Sequence, residues 1–299
     1  MQTLVNNHFS LNNESSYQKW RDKKLSNYPM QLEDLVVEVN NPADLTAAEK
    51  QQLGAILDQT NMVLYATKQV NISDDFELNK ERVRKLGEQF SMLQLDHNEC
   101  ADNDAITALQ VNQQGLHKYY IPYSNKAINW HTDGYYNRLD EQIYSLILHC
   151  VCPAHQGGEN KLLDPEMVYI QLRDKNPEHI RALMDPDALI IPKNVIDGEL
   201  IRPDRSGPIF MFDQSEYLHM RYSARKRNAI WKDNDTIIAA EKALREIMKQ
   251  GGDYQFEGKL QPGQGLLCRN VLHTRAQFDE PKQSNRLMFR GRYFDKLIS

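Results

Sequence analysis

The segment Arg286-Leu-Met-Phe-Arg-Gly-Arg-Tyr-Phe294 constrains the fold more than any other stretch of this 299-residue chain. In an extended strand, alternate side chains point to opposite faces. Leu287, Phe289, Gly291 and Tyr293 therefore share one face, and Arg286, Met288, Arg290, Arg292 and Phe294 share the other. The first face suits a hydrophobic core. The second carries three guanidinium groups, which are costly to bury without anions. Two architectures satisfy this pattern. One is an edge strand with its charged face in water. The other is a strand of a barrel whose interior binds carboxylates, where the planar fork of arginine suits bidentate pairing.

A second stretch, Asn129-Trp-His-Thr-Asp-Gly-Tyr-Tyr136, sets His131 and Asp133 two residues apart. In a strand they project from one face, so an imidazole and a carboxylate converge. With one more histidine they would form the two-histidine, one-carboxylate triad that holds iron(II) in oxygenases. Alone, the pattern is weak, and its plainer explanation is a strand end with two solvated polar residues. Among the other histidines, His149 sits in an apolar run and reads as a core residue. His219, in Tyr217-Leu-His-Met-Arg221, fits either core or pocket. His273 stands out because a strand-like Leu266–Cys268 leads toward it and the arginines follow it.

Composition narrows the class. Hydrophobic residues make up 40% of the chain, enough for a real core, and the net charge of −5 is spread over mixed signs. That balance argues against general affinity for nucleic acid or anionic membrane. No apolar run approaches the roughly 20 residues needed to span a bilayer. The polar stretch Met1 to Leu25 lacks the apolar core of a secretion signal, so a cytoplasmic protein is expected. The four cysteines, Cys100, Cys150, Cys152 and Cys268, are then expected as thiols. Cys150 and Cys152 could share a strand face and hold a metal. Packing as small apolar groups is the expected role, and no second pair at short spacing completes a zinc site.

Residues 1–30 carry no clear pattern and are expected as a flexible arm, with 31–299 forming one domain. Strands are expected near 35–39, 61–65, 105–111, 118–121, 143–152, 188–191, 208–212, 256–260, 266–268 and 286–294. A helix capped by Thr46, one over 76–92, one over 167–184 interrupted at Pro177, and an amphipathic one over 233–250 complete the set. Many short strands with Gly/Pro turns and a few helices predict a mainly β fold with helical cover, of the jelly-roll kind.

Four segments, in order, carry a family resemblance: Trp130-His131-Thr132-Asp133, Gly157-Gly158-Glu159-Asn160, Asn270-Val-Leu-His273-Thr-Arg-Ala-Gln-Phe278, and Arg286 with Arg290. Over roughly residues 35–295 the chain resembles the taurine dioxygenase-like family of iron(II)- and 2-oxoglutarate-dependent oxygenases, which includes γ-butyrobetaine hydroxylase-type enzymes. The resemblance implies a double-stranded β-helix (jelly-roll, clavaminate synthase-like). It implies iron on His131, Asp133 and His273, with 2-oxoglutarate and dioxygen as cosubstrates. Arg286 matches the arginine that meets the distal carboxylate of 2-oxoglutarate, and Arg290 the one that meets a substrate anion. Asn160 stands where the family has a threonine that binds 2-oxoglutarate, and its amide can still donate a hydrogen bond.

The implied reaction is hydroxylation of a small polar, anionic or zwitterionic metabolite, with release of succinate and CO2. Tyr135, Tyr136, Arg290 and Arg221 are the candidate substrate contacts. Aromatic rings beside the metal could also serve only as packing, and the Arg221–Arg227 cluster could be a solvated loop. Desaturation or ring closure would use the same site. A homo-oligomer is compatible with this reading. Two rivals stay open: a jelly-roll binding protein without turnover, and a zinc-dependent hydrolase on the same three ligands. The second would not need Arg286 and would work without oxygen.

Overall fold

The computed structural model describes residues 7–67, 75–97, 102–112, 114–212, 215–225, 229–279 and 286–299. The chain divides into two compact units. A helix-rich unit comprises Met1–Tyr28, Trp130–Gln142 and Leu163–Gln255, and a sheet unit comprises Pro29–Asn129, Ile143–Leu162 and Phe256–Ser299.

The sheet unit is built on six strands in the order Val36–Val39, Met62–Thr67, Gln264–Cys268, Ser145–Cys152, Leu287–Tyr293 and Thr107–Leu109. Only the first pair is parallel, bridged by the helix Ala47–Thr60. The other pairings are antiparallel. Neighbours in space are far apart in sequence, which is the strand-skipping order of a double-stranded β-helix.

One face of this sheet is sealed by two helices, and the reason lies in alternation. Val63, Tyr65, Ile147, Val151, Leu267, Phe289 and Tyr293 project toward the helices and pack with Leu53, Leu57, Val83 and Leu86. Each such side chain removed from water contributes on the order of 2 kcal/mol. The intervening residues, including Leu64, Leu148, Leu266 and Arg290, therefore project from the opposite face. Both helices begin where capping dictates. Thr46 accepts from Glu49 N while the Glu49 carboxylate accepts from Thr46 N at 2.8 Å, a capping box. Asp75 caps Phe76–Gln89.

Four strands in the order Gln255–Gly258, Asn160–Leu163, Leu272–Arg275 and Ile128–His131 form a second sheet. Phe278–Asp279 pairs with Gln156–Gly157. There the chain needs glycine: Gly157 has φ +73°, and a Cβ would lie 2.1 Å from the Gln277 carbonyl oxygen.

In the helix-rich unit, Pro177 ends one helix and starts another. Pro165–Lys175 stops at Asn176, whose side chain caps Pro177–Leu183. Proline is tolerated at that first helical position because its missing N–H has no partner there. Asp235–Gln250 is capped by Asn234, and Gly251 follows its end.

Two expectations need correction. The described part of the expected arm is ordered structure: Glu14–Leu25 is helical, and Phe9 and Tyr17 are buried against Tyr169. Polar composition hid those few aromatic anchors. The expected strand at 118–121 is two 3-10 turns, Gly115–Tyr119 and Ile121–Tyr123. Pro122 has no N–H for a sheet ladder.

Candidate active site

Ile128–His131 delivers the first ligand candidates. The backbone just beyond it is clamped from 222–224. Ala224 N donates to Trp130 O, Thr132 N donates to Tyr222 O, and Tyr222 N donates to the buried Thr132 hydroxyl. These bonds keep residues 130–132 extended, so His131 and Asp133 point the same way. His131 Nε2 lies 3.9 Å from Asp133 Oδ1. Gly134, at φ +67°, then turns the chain away.

His273 sits on Leu272–Arg275 and is buried. Its Nδ1 lies 2.9 Å from the Val271 carbonyl oxygen, an acceptor. The proton therefore belongs on Nδ1, which leaves the lone pair on Nε2, the tautomer a metal requires. His131 and Asp133, in the helix-rich unit, and His273, in the sheet unit, each offer one ligand atom. Two imidazoles and one carboxylate form the donor set that suits iron(II) with coordination positions left open. Burial pushes the Cys150 thiol up to about 12.

Asn160 is tied to the strand that carries His273: its Nδ2 donates to Thr274 O at 2.7 Å, and Lys161 N donates to the Thr274 hydroxyl. Arg286 stacks on the Phe278 ring at 4.9 Å, and Arg275 approaches the same ring at 5.0 Å. Burial, with repulsion from Arg286 and Arg290, lowers Arg275 to about 9. Three guanidinium groups thus share a buried neighbourhood, an electrostatic setting that attracts an anion. Arg292, on the same face, is ion-paired with buried Asp96.

Arg275 was missed in the sequence. Its signal was its spacing, two residues after His273 on the same strand. Its guanidinium donates to the carbonyls of Pro122, Ser124 and Lys126 at 3.0, 2.6 and 2.6 Å. It thereby braces the segment that runs into Ile128–His131.

Tyr135 and Tyr136 meet edge to face at 5.1 Å. Arg202, also unanticipated, lies 5.9 Å from the Tyr136 ring. Arg221 is the sequence candidate whose side chain has other work. It is fully buried and donates to the carbonyls of Arg205, Gly207 and Leu189 at 2.7, 3.4 and 3.3 Å. Those contacts tie together the sheet of its own unit, so Arg221 is left out of the site proposed below.

Comparison with known proteins gives one consistent picture. Residues 22–292 match the profile described as "Taurine catabolism dioxygenase TauD, TfdA family". A uridine-5'-phosphate dioxygenase from Streptomyces sp is 29% identical over 196 residues, 64% of this chain and 70% of that protein. Another from Amycolatopsis sp is 28% identical over 169 residues, 55% of this chain and 60% of that protein. Among solved structures, the non-heme iron oxygenase OrfP in complex with Fe superposes with a TM-score of 0.60 at 14% identity, covering 95% of this chain and 91% of that one. An asparagine oxygenase in complex with Fe(II), 3-hydroxyasparagine and succinate gives 0.56 at 12%, covering 86% and 85%. Those likenesses establish the jelly-roll oxygenase fold.

Proposed function

The chain belongs to the TauD, TfdA family of taurine catabolism dioxygenases, and from that premise we propose that His131, Asp133 and His273 hold the iron(II) of a 2-oxoglutarate-dependent hydroxylase. The observation that carries the reading is His131 Nε2 lying 3.9 Å from Asp133 Oδ1, in a chain that matches the family over residues 22–292. Iron(II) bound there supplies the redox chemistry by which 2-oxoglutarate and O2 become succinate and CO2 as the substrate is hydroxylated.

The chain's own residues bind, orient and shield. The Val271 carbonyl fixes the His273 tautomer. Arg286, seated on Phe278, takes the distal carboxylate of 2-oxoglutarate as a bidentate partner. Asn160 keeps its amide oxygen and a second N–H for the same cosubstrate. Arg290 meets an anionic group of the substrate, and Tyr135 and Tyr136 form an aromatic wall beside Asp133. The uridine-5'-phosphate dioxygenases make a phosphorylated metabolite the first substrate class to assay, beginning with uridine-5'-phosphate. The free cysteines Cys150, Cys152 and Cys268 suit a reducing cytoplasm.

The test is succinate formation from 2-oxoglutarate by purified protein with iron(II) and O2, over a panel led by nucleoside monophosphates. The anaerobic iron(II)–2-oxoglutarate absorption band is read alongside. His131→Ala should abolish both stoichiometric iron and the band. Retained iron in that variant refutes the ligand assignment, and oxygen-independent turnover with zinc would favour the hydrolase instead.

A further inference from the structure

In the helix-rich unit, the hairpin of Asn194–Ile196 and Glu199–Arg202 turns one side chain to an unexpected face. Its two turn residues, Asp197 and Gly198, have φ of +51° and +89°, as a type I′ turn requires. Val195 lies opposite Leu200 in the ladder, and both are exposed. Regular alternation would set Arg202 on that exposed face with Leu200. The register instead shifts between Leu200 and Arg202, so Arg202 lies opposite Asn194. This bulge turns the guanidinium to the other face, and re-aiming a side chain is a common use of bulges. There it lies 5.9 Å from the Tyr136 ring, within cation–π range. Its Nη1 and Nη2 donate to the carbonyls of Pro203 and Pro192 at 2.8 and 2.6 Å, which holds the planar fork in place.

Arg205, three residues on, joins it from the next strand. Arg205 pairs with Ile191 and Gly207 with Leu189, so these four share one face of their sheet. Ile191, Gly207 and Leu189 are buried, whereas Ser206 on the other face is exposed. The covered face packs on the segment that follows Asp133: a Cβ at Gly207 would lie 2.9 Å from Leu139 Cδ2. Arg205 Nε is shut off from water there and has no acceptor among the described residues. The two cations feel each other. Burial lowers the pKa of Arg202; Tyr135 opposes that shift, Arg205 adds to it, and Tyr136 and Asp204 oppose it. Burial, with repulsion from Arg202, also lowers Arg221 to about 10. The nearby carboxylates are engaged elsewhere. Asp140 pairs with Arg138 at 2.7 Å, and Asp204 accepts from Lys193 N at 2.6 Å. Exposed Glu199 pairs with neither arginine among the described residues. Positive charge is therefore in surplus beside the two tyrosines, a setting that attracts an anion.

We propose that Arg202 and Arg205, with Tyr135 and Tyr136, form the subsite for the phosphate of a phosphate-monoester substrate. The inference rests on the dioxygenase reading above and names the substrate group that selects for it. A phosphate monoester carries close to two negative charges near neutral pH and offers three strong acceptor oxygens. It accepts charge-assisted bonds from both guanidinium groups at once, in addition to the contact already given to Arg290. A neutral nucleoside supplies no counter-charge to these half-buried cations. Tyr135 and Tyr136 follow Asp133 by two and three residues, so the subsite continues the segment that carries two of the metal-ligand candidates.

Calorimetric titration of the anaerobic protein, saturated with iron(II) and 2-oxoglutarate, is the test. Each of a panel of nucleoside 5'-monophosphates is compared with its nucleoside and with inorganic phosphate. At least one monophosphate should bind about tenfold more tightly than either. Arg205→Gln and Arg202→Gln should each weaken that monophosphate about tenfold and leave the affinity for the nucleoside unchanged. That split separates recognition of the phosphate from a structural role, which would weaken both ligands together. Wild-type protein that binds ester and nucleoside equally, or binds neither, overturns the proposal. So does inorganic phosphate that binds as tightly as the ester, since the site would then serve free phosphate. An Arg205→Gln protein that keeps the wild-type preference overturns it as well. If Arg202→Gln fails to fold, because its carbonyl bonds tie down the hairpin, Arg205→Gln decides alone. A wild type lacking the anaerobic iron(II)–2-oxoglutarate band refutes the dioxygenase reading; a normal band with no preference for the ester refutes only the subsite.

Discussion

His149 should make this protein acid-sensitive in a defined window. It lies on Ser145–Cys152 with Nδ1 2.8 Å from the Tyr65 hydroxyl, and the two rings stack with centroids 5.9 Å apart. Burial, with a smaller contribution from Arg82, lowers its pKa from 6.5 to about 4. Between those values the unfolded chain binds a proton at this residue that the native chain refuses. Stability is therefore fully present above pH 6.5 and is lost as the pH falls toward 4. The difference corresponds to about 3 kcal/mol at 1.36 kcal/mol per decade, with little solvent screening because the ring is buried. His149→Gln keeps an oxygen that can accept from Tyr65 but cannot titrate. It carries a pH-independent cost and should remove that slope. Because the chain has two compact units, native-state hydrogen exchange of the amides in Ser145–Cys152 and Gln264–Cys268 is the appropriate measurement. The difference between wild type and variant isolates His149 from other acid-sensitive groups such as His8. Stability curves that stay parallel from pH 7 to pH 4 would refute the claim that this imidazole is buried neutral.

Three further outcomes test other parts of the structure. Arg286→Ala removes a bidentate charge-assisted contact and should raise the apparent constant for 2-oxoglutarate by about ten- to a hundredfold; an unchanged constant in steady-state assays moves that role to Arg290. Asp96→Ala leaves the buried Arg292 guanidinium without its carboxylate and should cost about 3 kcal/mol in urea unfolding, with a shift below 1 kcal/mol arguing that the pair is dispensable. Thr46→Ala removes the cap of Ala47–Thr60 and should cost about 1 kcal/mol by the same measurement; no detectable shift would show that the capping box does not stabilise this helix in the folded protein.

Local rules accounted for much of the architecture. The Thr46 cap, the break at Pro177 and the glycine after Asp235–Gln250 follow from nearest-neighbour backbone chemistry, and the structure has each of them. Period-two alternation in 286–294 sorted Phe289 and Tyr293 into the core, where both are buried. The same rules failed at 118–121, where one proline outweighed a β-like run, and over 1–30. There, isolated aromatics in a polar segment are anchored by residues such as Tyr169, 160 positions from the Phe9 carbonyl it bonds.

The candidate site divides along the same line. The i, i+2 spacing of His131 and Asp133, the order of the motifs, and one strand face bearing Arg286, Arg290 and Arg292 were all determined by the sequence. They depend only on strand periodicity and residue chemistry. The sequence could not assign the arginines their separate work, because a guanidinium is defined by its partners. Asp96 claims Arg292 from 196 positions away, the carbonyls of Arg205, Gly207 and Leu189 occupy Arg221, and Arg275 braces 122–126 from about 150 positions downstream. Only tertiary structure brings those partners into hydrogen-bond range. Tertiary structure alone also gathers Leu64, Leu148, Leu266 and Asn160 around a cavity that His273 lines, since a cavity is a property of how strands meet and has no counterpart in the order of residues along them.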